Sequence, residues 1–159
     1  MIKRTPYTKK VLEHFQNPHN YGKIKNPDGI GKVGNIQCGD VMYLYIKIDK
    51  NKKGEETIKE VKFETYGCLA AIASSSIITD LIKGKTIAQA IDFNRQKVVD
   101  SLGGLPPIKL HCSVLAVDAL LEAIHNYLTK NKKPIPVKLK ERHKEIEKAK
   151  KEIKKRYKD

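Results

Sequence analysis

The sequence predicts an α+β domain, a small antiparallel sheet packed against several helices, followed by a charged helical extension. Three observations carry this expectation. Met42, Leu44, Ile46 and Ile48 alternate with Tyr43, Tyr45 and Lys47, the period of two of a strand with one buried face. After a polar loop, Asp49 to Thr57, the residues Val61, Phe63 and Thr65 repeat that period against Lys62 and Glu64, so the two segments pair as an antiparallel hairpin. Beyond Cys68 the period becomes helical: Leu69, Ile72, Ala73, Ser76, Ile77 and Leu81 mark one stripe, and Val114, Val117, Leu121, Ile124 and Leu128 mark a long later one.

The remaining elements follow in chain order. Thr5-Pro6 reads as N-cap and first helical position, with Tyr7, Val11, Leu12 and Phe15 at helical spacing before Asn17-Pro18 ends the pattern. Residues 19–36 are rich in Gly, Asn and Pro and contain one weak strand candidate, Gly31 to Ile36. Gly84 is a C-cap for the first long helix. Thr86 to Ala90 and Asn94 to Leu102 form two shorter helices, the second stopped by Gly103-Gly104. Leu105-Pro106-Pro107 is extended, because each proline restricts its predecessor. Pro134 and Pro136 divide the chain into a core of residues 1–130 and a basic tail of residues 131–159, predicted helical. In that tail Leu139, Ile146 and Ile153 fall one heptad apart, with His143, Ala149 and Tyr157 nearby, a thin apolar seam that fits a docked helix and a solvated one equally.

Composition narrows the function classes. A chain of 159 residues suits one domain. No run approaches the roughly 18 apolar residues that span a membrane, and Met1-Ile2-Lys3-Arg4 leads into no apolar signal stretch, so a cytoplasmic protein with reduced thiols is expected. The formal charge of +14 raises nucleic acid as a partner, but residues 131–159 hold thirteen Lys or Arg against five Asp or Glu, +8 of that total. The basic character is a property of the tail. With no zinc-finger spacing and no Trp, a basic nucleic-acid-binding module with structural zinc remains only a rival reading.

The chemistry sits in three cysteines: Cys38 in Cys38-Gly39-Asp40, Cys68 after Tyr66-Gly67, and Cys112 in His111-Cys112-Ser113. An odd count excludes a fully paired set of intramolecular disulfides, and no CxxC knuckle exists, so the three meet through folding. The predicted hairpin brings Cys38, ahead of its first strand, and Cys68, behind its second, to one edge of the sheet, and a packed helix can deliver Cys112 there. Cysteines at helix starts meet free backbone N–H groups and the positive end of the dipole, which favour thiolate, the form that binds metal or attacks a persulfide. Asp40 and His111 add a hard oxygen and a borderline nitrogen, and Gly39 and Gly67 permit tight turns beside a bulky inorganic unit. A lone cytosolic cysteine is ordinarily a small buried hydrophobe. Three at element ends beside Gly, Asp and His point instead to a shared site that binds iron or zinc and can release it. His14, His19, His125 and His143 have no such neighbours in sequence and read as surface or core residues.

Four stretches carry a resemblance: Tyr7 to Gly22 (YTKKVLEHFQNPHNYG), Val33 to Met42 (VGNIQCGDVM), Phe63 to Ser76 (FETYGCLAAIASSS) and Leu105 to Ala119 (LPPIKLHCSVLAVDA). Together, in order and over roughly residues 5–128, they resemble the IscU and NifU N-terminal type of iron–sulfur cluster assembly scaffold. The resemblance implies a three-stranded antiparallel sheet against several helices, the IscU/SufE-like fold, and a scaffold or carrier role in place of enzymatic turnover. It implies that sulfur arrives as persulfide from a cysteine desulfurase, that a transient [2Fe-2S] cluster is built with ferrous iron, and that apo iron–sulfur client proteins receive it. By motif position Cys38, Cys68 and Cys112 would be ligands, Cys112 also the persulfide acceptor, Asp40 a labile ligand and His111 an alternative fourth one, with Lys109 close by. Leu105, Pro106, Pro107, Ile108 and Lys109 match the family's segment for a dedicated Hsp70-type chaperone, with Ile108 in place of valine. Tyr7 matches a tyrosine tied to self-association as a homo-oligomer. Leu69-Ala70 depart from the Gly-Ser common after the second cysteine, and the tail beyond Pro134 has no counterpart in the resemblance.

The nearest rival is the SufU type, a zinc-dependent sulfur acceptor, which carries an insertion before the third cysteine and lacks the His-Cys pair. Here that interval is uninterrupted and His111 is present, which favours the scaffold. Zinc fits the three-cysteine site of an apo form as readily as iron does.

Overall fold

The computed structural model describes residues 5–34 and 39–156, without the side chains of Ile153 and Arg156. The element order is α1 (Lys9–Gln16), β1 (Gly29–Gly34), β2 (Val41–Lys50), β3 (Glu56–Tyr66), α2 (Leu69–Ile82), α3 (Ile87–Ile91), α4 (Arg95–Ser101), a 3₁₀ turn (Pro107–Lys109), α5 (His111–Lys130) and α6 (Val137–Arg156). The strands form one antiparallel sheet in the order β1-β2-β3. It is an α+β fold of two layers, with α5 against β1 and β2 and α2 against β3.

Strand periodicity decides which sheet face is buried. Met42, Leu44 and Ile46 on β2 and Ile58, Val61 and Phe63 on β3 are at most 1% exposed, while Lys62 and Glu64 lie between core and solvent. Each such apolar side chain contributes about 1.5–3 kcal/mol relative to an exposed one. The loop between β2 and β3 is shorter than its polar composition suggests, because pairing extends to Lys50↔Glu56 beyond a register shift between Lys47 and Ile48. Within the turn, Asn51 Oδ1 accepts the N–H groups of Lys53 and Glu55.

β1 runs from Gly29, two residues ahead of the expected start, and its glycines have a packing reason. A Cβ at Gly31 would collide with the Ala119 carbonyl oxygen of α5. The absence of a side chain there lets the helix lie directly on the strand.

Three further expectations are corrected. The first helix starts at Lys9 and not at Thr5-Pro6: Thr8 is the N-cap, its hydroxyl accepting the Val11 N–H and donating to the Leu102 carbonyl at 2.5 Å. α2 is buried nearly all round and not along a single stripe, because it runs between the sheet, α1 and α5. Leu69, Ile72 and Leu81 of the expected stripe are only half-buried, whereas Ala70, Ser74, Ser75 and Ile78 are fully buried. Pro106 is extended, but Pro107 opens a 3₁₀ turn in which the Lys109 N–H bonds the Pro106 carbonyl.

α6 docks on α5. Leu139 (1% exposed) and Ile146 (7%) join the main core cluster, while Ile36, Ile153 (its side chain) and Tyr157 of the sequence reading lie outside the described residues. Arg142 grips the Asp118 carboxylate of α5 with two bonds, Nε to Oδ1 at 2.8 Å and Nη2 to Oδ2 at 2.7 Å. Burial pushes the Asp118 carboxyl up from its usual range and the guanidinium opposes that shift.

Gly31→Ala is expected to lower unfolding free energy by about 1–3 kcal/mol through this overpacking, read from urea midpoints. Leu139→Ala, which empties the α6 anchor, is expected to cost about 2–5 kcal/mol in the same assay. A cost within error of zero for Leu139→Ala would mean that α6 is not held on the core.

Candidate functional site

Asp40, Cys68 and the adjacent His111 and Cys112 converge where the sheet ends, delivered by three separate chain segments. The β2–β3 ladder closes at Val41↔Tyr66, which sets Asp40, one residue before β2, beside Gly67 and Cys68, which follow β3. Cys68 is the N-cap of α2 in extended conformation, its carbonyl accepting the Ile72 N–H at 3.1 Å. His111 and Cys112 open α5 directly after the 3₁₀ turn.

Cys68 Sγ lies 3.7 Å from Cys112 Sγ and 3.7 Å from Asp40 Oδ2, and Cys112 Sγ lies 3.5 Å from His111 Nε2. The two sulfurs do not form a disulfide with each other, and their separation far exceeds the roughly 2.05 Å of one. It matches instead the spacing of about 3.8 Å between two thiolates on one tetrahedral metal with bonds near 2.3 Å. Asp40, His111 and Cys112 offer donor atoms within 4.8 Å of one another. Asp40 (4% exposed) and Cys112 (0%) are buried, whereas Cys68 and His111 are half-exposed, so the site is sunk on one side and open on the other. A Cβ at Gly67 would crowd the Asp40 carboxylate and Ala71 at 3.0 Å, and Gly39 takes a φ of 68°, a left-handed turn directly before Asp40.

Cys38, the third cysteine, lies outside the described residues. Leu105 packs on the core, Ile108 is 78% exposed, and Lys109 is half-buried two residues before His111. Pro106, which precedes the turn, is half-buried and Pro107 is exposed. Tyr7 packs half-buried against the core ahead of α1. Tyr66 (71% exposed) and Leu110 (39%) join Ile108 as large apolar residues close in sequence to the site, and sequence reasoning did not single them out as such. The available signal was Tyr66 falling on the outward phase of the β3 alternation, next to a cysteine.

The profile of the NifU-like N-terminal domain matches residues 6–134. The chain belongs to the NifU-like N-terminal domain family. A relative named an iron–sulfur cluster assembly scaffold protein IscU, from Archaeoglobus fulgidus, is 50% identical over 145 residues, 91% of this chain and 92% of that protein. A protein of the same name from Aquifex aeolicus is 43% identical over 124 residues, 78% of this chain and 77% of that one. Among solved structures, the N-terminal part of a NifU-like protein from Brucella abortus superposes with a TM-score of 0.59 at 22% identity, covering 79% of this chain and 96% of that one, which shows the shared fold. The family match ends at residue 134, just before α6 begins at Val137. Among the described residues no helix is long and apolar enough to cross a membrane.

The histidines away from the cysteines, read from sequence as surface or core residues, have titratable neighbours that only folding brings close. His14, His19 and Asp80 form one group, and Glu122, His125 and His143 another. In the second, the His125 and His143 rings stack at 3.6 Å and 10°, and His143 Nδ1 sits 2.6 Å from Glu122 Oε2. Sequence spacing could not reveal these pairs, because each spans two elements that are separate in the chain.

Burial lowers the pKa of His14, helped by the neighbouring His19, and burial lowers that of His125, helped by His143. At these two histidines the folded state therefore binds fewer protons than the unfolded state as pH falls through 6.5, the ordinary histidine value. This stability is complete above 6.5 and declines below it until the folded-state values are passed. Thermal midpoints are expected to fall from about pH 7.5 to about pH 5.5, with a shallower fall in His125→Leu. An equally steep fall in that variant would remove His125 from the explanation.

Proposed function

We propose that this chain is a scaffold on which ferrous iron and persulfide-derived sulfur are assembled into a transient [2Fe-2S] cluster that is then handed to apo-proteins. The observation that supports it most is the pair of cysteine sulfurs, Cys68 and Cys112, set 3.7 Å apart with Asp40 and His111 as weaker donors around them. The names of the Archaeoglobus and Aquifex relatives support the same reading. In this proposal Cys38, Cys68 and Cys112 supply thiolates. The fourth position goes to Asp40 or His111, whose oxygen and nitrogen hold iron less firmly than sulfur does and so ease release to a site with four thiolates.

Cys112 is the proposed sulfur acceptor. Its thiolate attacks the terminal sulfur of a desulfurase persulfide, forming a new S–S bond as the donor's S–S bond breaks and the donor cysteine leaves as thiolate. Each transferred sulfur then takes up two electrons to become sulfide. Oxidation of the two ferrous ions supplies half of these electrons, and an external thiol or one-electron donor supplies the rest. The protruding Ile108 in the segment Leu105 to Lys109 suits capture by an Hsp70-type chaperone, and Tyr7 is the proposed contact for self-association.

Anaerobic reconstitution with ferrous iron, cysteine and a desulfurase is expected to give the absorption and Mössbauer signature of a [2Fe-2S] cluster. Sulfur uptake without that signature would favour the zinc-dependent acceptor. Asp40→Ala is expected to hold its cluster several-fold longer and transfer it more slowly. Faster cluster loss than in the unaltered chain would sink the labile-ligand role of Asp40.

A further inference from the structure

The histidine group at the opposite end of α2 from Cys68 has the donors and the surrounding support of a metal centre. His14 on α1, His19 in the loop that follows and Asp80 on α2 each offer a donor atom, all within 4.8 Å of one another. We propose that His14, His19 and Asp80 form a second, sulfur-free site for a divalent first-row transition cation. Asp80 lies twelve residues beyond Cys68, about 18 Å along a helix that rises 1.5 Å per residue, so this site shares no donor with the cysteines.

The donors are held by a second layer of hydrogen bonds. Ser76 Oγ, fully buried on α2, sits 2.7 Å from His14 Nδ1 and accepts the His19 backbone N–H at 2.8 Å. A proton on His14 Nδ1, donated to that hydroxyl, leaves Nε2 with the lone pair a metal needs. Asn20 Nδ2 donates to Asp80 Oδ1 at 3.2 Å and to Thr79 Oγ1 at 2.9 Å, which fixes the carboxylate and leaves Oδ2 to face His19 Nδ1 at 2.5 Å. An arriving cation replaces this last contact, taking both atoms as ligands after small side-chain rotations. The two imidazole rings are tilted by 53° at 4.6 Å, so they are not stacked face to face, and their in-plane lone pairs can turn toward one point.

The loop that carries His19 is anchored rather than loose. The Phe63 N–H donates to the Asn20 carbonyl at 3.0 Å, and the Gly22 N–H donates to the Phe63 carbonyl at 2.8 Å. His19 and Asp80 keep 53% and 37% of their side-chain surface exposed, which leaves the remaining coordination positions to water or a small ligand. Two imidazoles and one carboxylate with open positions suit the borderline ions of the Fe²⁺ to Zn²⁺ series. The other histidine group is less suited to a cation, because Glu122 already faces the Lys150 ammonium at 3.5 Å as well as His143.

Cobalt(II) titration of the full chain separates the two kinds of site, since thiolate-bound cobalt shows a sulfur-to-metal charge-transfer band and cobalt on nitrogen and oxygen does not. The expected result is a second bound equivalent without that band, with paramagnetic broadening centred on the Ser76 and Asn20 amides. His19→Ala and the milder Asp80→Asn, both surface changes, are expected to weaken that equivalent at least tenfold and leave the thiolate band unchanged. His143→Ala is expected to alter neither. Retention of the second equivalent in both His19→Ala and Asp80→Asn, broadening confined to the surroundings of Cys68, or loss of the ion in His143→Ala would overturn the assignment. The thiolate band reports on the cysteine site independently, so loss of the sulfur-free equivalent would leave cluster assembly to stand or fall separately.

Discussion

The antiparallel register that ends at Val41↔Tyr66 is the constraint on which the cysteine end depends. It fixes where β2 begins and β3 stops, and so sets Asp40 beside Gly67 and Cys68. A slip of one residue would turn Met42, Leu44 and Ile46 from the buried face to the other, so the hydrophobic layer beneath the sheet holds the register against error. The same layer locates α5, which lies close on β1 over Gly31 and brings Cys112 to within 3.7 Å of Cys68. The site is thus held by core packing, although its donors are a residue before a strand, a helix cap and two residues of a helical first turn.

That support explains how weak donors can sit beside thiols without the site collapsing. Asp40 is 4% exposed and packs closely against the bare backbone of Gly67. Tyr66, Ile108 and Leu110 are large apolar groups left in solvent near a polar centre, an arrangement that fits a surface met by other proteins more than one closed on itself. Cys68 and His111 border the open side of the site and Asp40 and Cys112 its buried side, so on the proposed reading sulfur reaches Cys112 only as the site opens toward the partner.

α6 shows how a nearly all-charged segment is recruited into a fold. Its apolar content is slight, but Leu139 and Ile146 reach the core, and Arg142 and His143 meet Asp118 and Glu122 on α5. Glu122, 6% exposed, is tolerated because His143 and Lys150 both face it. The tail's positive charge is therefore partly spent within the molecule, which weakens the case for nucleic acid as its natural partner.

Much of this was legible in the chain. Period-two alternation over Met42 to Ile48 and Val61 to Thr65 specified the hairpin, capping and stop residues specified α3 and α4, and helical periodicity specified α5, because these patterns are local and set by backbone geometry. The cysteines, with Asp40 and His111 close by in sequence, could be singled out because their chemistry is rare; His111 and Cys112 are also neighbours in space, whereas Asp40 meets Cys68 only through the fold. Tertiary structure alone decided three matters. The burial of α2 on nearly every side needed the sheet, α1 and α5 around it; the docking of α6 rested on two apolar side chains and an Arg142–Asp118 pair 24 residues apart; and the two histidine groups joined residues from elements that only folding brings together. Local sequence determines which elements form and which side chains can do chemistry. Which of those side chains meet is fixed by long-range packing, whose partners leave no periodic trace in the chain.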